Sequence, residues 1–193
     1  MKKLISLLVL VTVFFPVSVE AKDVESLPNG FRKATWGMTR NQVKATESGK
    51  IMRDSENALA YKGSVGNADV LIFFFFVSDK LVRGKYSFLT EHTNKNEFIS
   101  DFERIKSTLK DKYGDPQKDE TFWSNELYKD EPENWGMAIA VGDLSYYTTW
   151  ENENTDIVLA LDGDNYEISL VVEYSSKALH HLAEEAKKKE GKG

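Results

Sequence analysis

The sequence predicts an α+β fold, an antiparallel sheet with helices packed on one face. Three observations carry that expectation. Ala68–Phe88 and Ile157–Tyr174 both read as β-hairpins of one design, a continuous apolar strand followed by an alternating one. A helical pattern with its own start and stop signals precedes each hairpin. Strands come in runs separated by single helices, the pattern of segregated α+β layers rather than of a parallel βαβ sheet.

The chain opens with Lys2 and Lys3, an apolar stretch from Leu4 to Val17 broken by Pro16, and the small-x-small triplet Val19-Glu20-Ala21. That is the three-part pattern of a secretory signal peptide, assigned to residues 1–21. The stretch is shorter than the ~20 apolar residues a membrane-spanning helix needs. The expected location is therefore periplasmic or secreted, in a bacterial envelope, with no transmembrane segment after cleavage. The chain has no cysteine, which excludes a lipid anchor on cysteine, disulfides and thiolate metal sites. Residues 22–186 are expected to form one α+β domain held by its core alone. It would contain two tandem halves, 31–89 and 94–175, each a helix followed by strands ending in a long hairpin. The tail, 187–193, is expected to fray. With 31 acidic residues against 25 basic ones and a net charge of −6, nucleic acid and anionic lipid are poor partners.

In the first half, Thr39 and Gln42 form a capping box, with Met38 and Val43 at the staple positions, so a short helix should run from about Arg40 to Glu47. Phe31 and Trp36 precede it as aromatic anchors beneath the helix. Ala58–Gly63 reads as a strand. Val70–Val77 is apolar on both faces, whereas its return strand has one polar face. Something must cover the second apolar face. The expected cover is the helix beginning near Lys95 together with the second half, which would make the stretch core; the alternative is a partner.

In the second half, Asn94 is the expected N-cap of a helix over Lys95–Tyr113. Phe98, Phe102, Ile105 and Leu109 form its apolar stripe, and Gly114 and Pro116 stop it. Glu120–Tyr128, Met137–Val141 and Leu144–Glu151 read as strands, with Lys129–Trp135 as a polar loop. Ser175 or Ser176 should cap a final helix.

Gly37-Met38-Thr39-Arg40-Asn41-Gln42-Val43, Tyr113-Gly114-Asp115-Pro116 and Asp79-Lys80-Leu81-Val82 resemble small exported bacterial envelope domains. These are the small lipoprotein of the outer-membrane β-barrel assembly machinery and the β-lactamase-inhibitor-protein-like fold. The chain departs from the lipoproteins in lacking the lipidated cysteine, and from the inhibitors in lacking disulfides. The resemblance implies a helix-plus-antiparallel-sheet fold in the envelope, and binding rather than catalysis.

Motifs for catalysis are absent. The three histidines, His92, His180 and His181, are not set beside a recognisable nucleophile motif, and there is no Gly-rich phosphate loop. His180 with Glu184 and His181 with Glu185 have the spacing of a helix face but lack further ligands, so no metal site is assigned. Asp162-Gly163-Asp164 and the acidic turn Glu151–Asp156 fit turn chemistry better than calcium loops. No cofactor is implied.

The remaining signal is aromatic density between Phe122 and Trp150. Trp123, Trp135, Tyr147 and Trp150 are the candidate binding residues, on a surface built from one sheet face and the loop Lys129–Trp135. The leading expectation is a non-catalytic domain that binds another envelope protein. One alternative is a cell-wall or carbohydrate-active hydrolase using carboxylates such as Asp143, Glu151 or Asp156. A second is a carrier of a small ligand or metal.

Overall fold

The computed structural model describes residues 28–182 and 184. The signal peptide 1–21, the tail 187–193 and the pair His181–Glu185 lie outside the described residues or reach beyond them. Elements follow in the order β1 (Gly30–Phe31), β2 (Ala34–Thr35), α1 (Arg40–Thr46), β3 (Ile51–Ser55), β4 (Ala58–Val65), β5 (Ala68–Val77) and β6 (Lys80–Phe88). Then come α2 (Glu97–Tyr113), β7 (Lys118–Trp123), a 3-10 turn (Pro132–Asn134), α3 (Trp135–Ala140), β8 (Leu144–Glu151), β9 (Thr155–Asp164) and β10 (Glu167–Ser176). The fold is α+β. Eight strands form one antiparallel sheet in the order β3-β4-β5-β6-β10-β9-β8-β7, and β1 and β2 form a small separate ribbon. Two four-stranded meanders therefore meet through their last strands, β6 and β10, where Tyr86 opposes Val172 and Gly84 opposes Tyr174. Among the described residues no helix is long and apolar enough to cross a membrane.

Helices and the β1–β2 ribbon lie on one face. The first half is covered by Phe31 and α1. The capping box forms as the sequence requires: Thr39 N–H donates to Gln42 Oε1 at 2.8 Å and Gln42 N–H to Thr39 Oγ1 at 3.3 Å. It aims Val43 into the core, where it is fully buried. Phe31 sits among Phe74, Tyr86 and Tyr174, with ring centroids 4.8–5.3 Å away. The seat exists because position 84 has no side chain, since a Cβ there would meet the Phe31 ring at 2.1 Å. One aromatic from the N-terminal ribbon thus bridges β5, β6 and β10 and pins the seam between the meanders. Arg32, beside it, donates to Glu47 at 2.9 Å and to Tyr86 Oη at 3.5 Å. Burial pushes the Tyr86 hydroxyl above its ordinary pKa, although the Arg32 hydrogen bond opposes this.

The second half is covered by α2 and α3. Phe98, Phe102, Ile105 and Leu109 of α2 are buried, and Gly114 ends the helix at φ +85°, its N–H bonded to Lys110 O. Asn94, the expected N-cap, instead accepts from Asn96 N–H at 3.1 Å in a turn before the helix, so α2 begins two residues later, and Asn96 at its start makes no capping bond because its side chain serves another element. Its Oδ1 accepts from Gly136 N–H at 2.5 Å and its Nδ2 donates to Pro132 O and Glu133 O. It thereby ties down the start of α3, whose Gly136 lies directly against the Lys95–Asn96 backbone. Met137–Val141, expected as a strand, is α3 and its cap. Three alternating apolar residues carry too little periodicity to separate strand from helix, and the small residues Gly136, Ala138 and Ala140 let this turn bury itself on the sheet. Strand β7 stops at Trp123, short of the expected Tyr128, and β3 is an exposed edge strand without an apolar pattern.

Candidate functional site

Strand β5 shows why its sequence is apolar on both sides. Val70, Ile72, Phe74 and Phe76 point to the helix side and are at most 3% exposed. Leu71, Phe73, Phe75 and Val77 point the other way and remain half-buried. The expected cover, α2 with the second half, does not lie over them; Phe31 and α1 cover the opposite face, and α2 packs on β9 and β10. Half of the stretch is core and half is surface.

The register assembles the exposed side into rows across the sheet. One row runs Arg53, Ala60, Phe73, Lys85, Glu173, Val158, Thr149, Lys118. Phe73 and Phe75 stack in parallel at 5.9 Å. The Arg83 guanidinium lies 4.4 Å from the Phe75 centroid, and Lys85 Nζ lies 5.4 Å from that of Phe73. These cations cover the rings in part and remain exchangeable with solvent, each worth about 0.5–1 kcal/mol at such exposure. Arg83 also reaches Glu173 across the seam at 3.5 Å. On the other half of the face, Phe122 is 61% exposed and Tyr147 36%. They border a groove of about 660 Å³ that also takes in Asp162, Asp164 and Glu167. Burial raises the Asp162 carboxyl above the usual range, with Lys85 opposing the shift.

The four aromatics expected to bind do not share a surface. Tyr147 alone lies on the bare sheet face. Trp123 pairs with Leu144, a buried helix-side residue, and meets Trp135 edge-on at 6.0 Å, both packed against the core. Trp135 Nε1 donates to Lys129 O at 3.1 Å. This closes the Lys129–Trp135 loop on the side of the sheet away from Tyr147. Trp150 is 1% exposed, and its Nε1 donates to Gly114 O at 3.0 Å. It is a core residue, because Trp150 and Tyr147 stand an odd number of positions apart on β8 and so face opposite ways.

Two of the three carboxylates considered for hydrolysis are engaged in ion pairs. Glu151 and Asp156 flank Lys177 at 2.5 and 3.3 Å. The Lys177 hydrogen bond holds Glu151 below its ordinary pKa, the reverse of what a general acid needs. Asp143 sits in the turn after α3, where its carbonyl accepts from Ser124 N–H. Among the described residues no three His, Asp or Glu side chains converge as a metal site, and His180 meets Glu184 only at 3.8 Å. No protein-family model matches the chain, and no curated protein or solved structure matches it significantly.

Phe73, Phe75, Arg83 and Lys85 were the residues that sequence reasoning did not single out. The signal was present: an eight-residue apolar strand beside a return strand with Arg83, Lys85 and Ser87 on one face.

Proposed function

We propose that the chain is an exported, non-catalytic protein-binding domain of the bacterial envelope whose working surface is the bare face of its eight-stranded sheet. The observation that carries this reading is the row of Leu71, Phe73, Phe75 and Val77, half-buried apolar side chains over which no helix or strand of the described residues packs. A contiguous apolar patch rimmed by polar groups marks an interaction site more often than an accident of packing. A broad, eight-stranded face with charged side chains around an apolar strip suits a protein partner better than a small molecule, which needs a concave, mostly enclosed pocket. The N-terminal apolar segment supports export, and the resemblance to small envelope domains points the same way.

The experiment is affinity capture from an envelope extract with wild-type protein, with Phe73→Ser/Phe75→Ser, and with Trp135→Ala. The reading expects the partner to be lost, by at least about tenfold, only with the sheet-face variant. Retention by Phe73→Ser/Phe75→Ser at wild-type levels, with loss on Trp135→Ala, would refute it.

A further inference from the structure

The bare face is electrically divided along its seam. On the β3–β6 half the described strands carry on this face Arg53, Lys62, Lys80, Arg83 and Lys85 against one acidic residue, Asp69. On the β10–β7 half stand Glu120, Asp156, Asp162, Asp164, Glu167 and Glu173. Glu151 joins them, while Lys118 and Lys177 are the basic residues there. A face with one basic and one acidic half is complementary to itself. We propose that it pairs with the same face of a second copy of this chain, which deepens the reading of this surface as the binding site and rests on it.

The symmetry follows from the topology. A two-fold axis lying between the copies and parallel to the strands at the β6–β10 seam sets β6 over β10, β5 over β9, β4 over β8 and β3 over β7. Basic half then meets acidic half twice, as an isologous contact requires. Read along the rows, Lys85 opposes Glu173, Phe73 opposes Val158, Leu71 opposes Ala160, and Lys62 opposes the Tyr147 ring. Two positions set like charges opposite each other, Arg53 to Lys118 at the outer edge strands and Asp69 to Asp162 near one end, and Phe75 faces Asp156, so the contact is strongest on the strands beside the seam, in the rows of Leu71 and Phe73. An axis across the strands would instead stack basic on basic. Size is adequate: the seven spacings of about 4.8 Å between eight strands and the three spacings of about 7 Å between four exposed rows span roughly 700 Å² per copy, close to the ~800 Å² each partner buries in a standard interface.

The test uses the purified protein and two charge-reversed variants, Lys62→Glu/Lys85→Glu and Glu120→Lys/Glu173→Lys, followed by sedimentation. Thermal melts verify that each variant is folded. Wild type should dimerise, with a Kd that rises at least about tenfold between low and high salt as the charges are screened. Each variant alone should be monomeric, because like halves then face each other. Mixed one to one, they should form a heterodimer. A second reading comes from this cysteine-free chain. Ser87→Cys protein mixed with Val171→Cys protein should form a mixed disulfide in preference to either homodisulfide. A wild type that stays monomeric at high concentration overturns the self-pairing, as does a dimer unmoved by the reversals or not restored by mixing. The capture experiment decides the wider binding reading independently, since a different protein lost on Phe73→Ser/Phe75→Ser supports that reading while sinking this one.

Discussion

Gly84→Ala is the sharpest single test of how the two meanders are joined. The added methyl would sit 2.1 Å from two Phe31 ring carbons and 2.7 Å from a third. Ordinary van der Waals contact begins near 3.4 Å, so the ring cannot stay. The strand cannot yield either, because Gly84 lies between Phe74 and Tyr174 in the ladder. Overpacking a core typically costs about 1–3 kcal/mol. Complete ejection of Phe31 sets a ceiling near the 3–5 kcal/mol of a buried Phe→Ala change. The expected loss is therefore about 2–4 kcal/mol, or roughly 5–15 °C in Tm for a chain of this size. Urea unfolding of the wild type, Gly84→Ala, Phe31→Ala and the double variant measures it. Once Phe31→Ala has removed the ring, Gly84→Ala should cost less than about 1 kcal/mol, a coupling of at least about 1 kcal/mol. Gly49→Ala, with no neighbour nearer than 3.5 Å, is the matched control. Additive costs, or a Gly84→Ala variant as stable as wild type, would refute the account of the Phe31 seat.

Asn96→Ala should cost about 1–3 kcal/mol, because it strands the Gly136 N–H and two carbonyls at the start of α3; urea midpoints measure it. Trp150→Phe, which loses a buried hydrogen bond to Gly114 O, should lower Tm clearly, whereas Tyr147→Ala should stay within about 0.5 kcal/mol and impair binding instead. Asp162 carries a pH-dependent prediction. Its folded pKa is raised by burial, so its contribution to stability is fully present below the unfolded carboxylate pKa and is lost as pH rises through the folded one. Asp162→Asn should accordingly raise Tm at neutral pH and leave it unchanged below the carboxylate range.

The helices α1 and α2 and both long hairpins were legible because the α1 capping box, the apolar stripe and glycine stop of α2, and strict strand alternation are local signals. Helix α3 was not. Its start is held by the Asn96 side chain, forty positions upstream, and its small residues are buried on the sheet. The pairing of β6 with β10 was equally hidden, since nothing in either strand names its partner, and so was the Phe31 seat that depends on it. The site was half legible. The sequence showed that Val70–Val77 has two apolar faces, but which face lies bare is decided by where α1 and the β1–β2 ribbon dock. Aromatic density misled for a physical reason: on β8 neighbouring aromatics alternate between core and surface, so Tyr147 and Trp150 could not both be exposed.

Site-specific photocrosslinking tests the central claim most directly. A photoreactive residue is placed at Phe73 or Tyr147 on the bare face, and at Met137 or Arg104 on the exposed helix side. The account predicts protein adducts, whether to a second copy or to another envelope protein, from positions 73 and 147 and none above background from 137 and 104. Adducts confined to the helix side, or equal from all four positions, would contradict it.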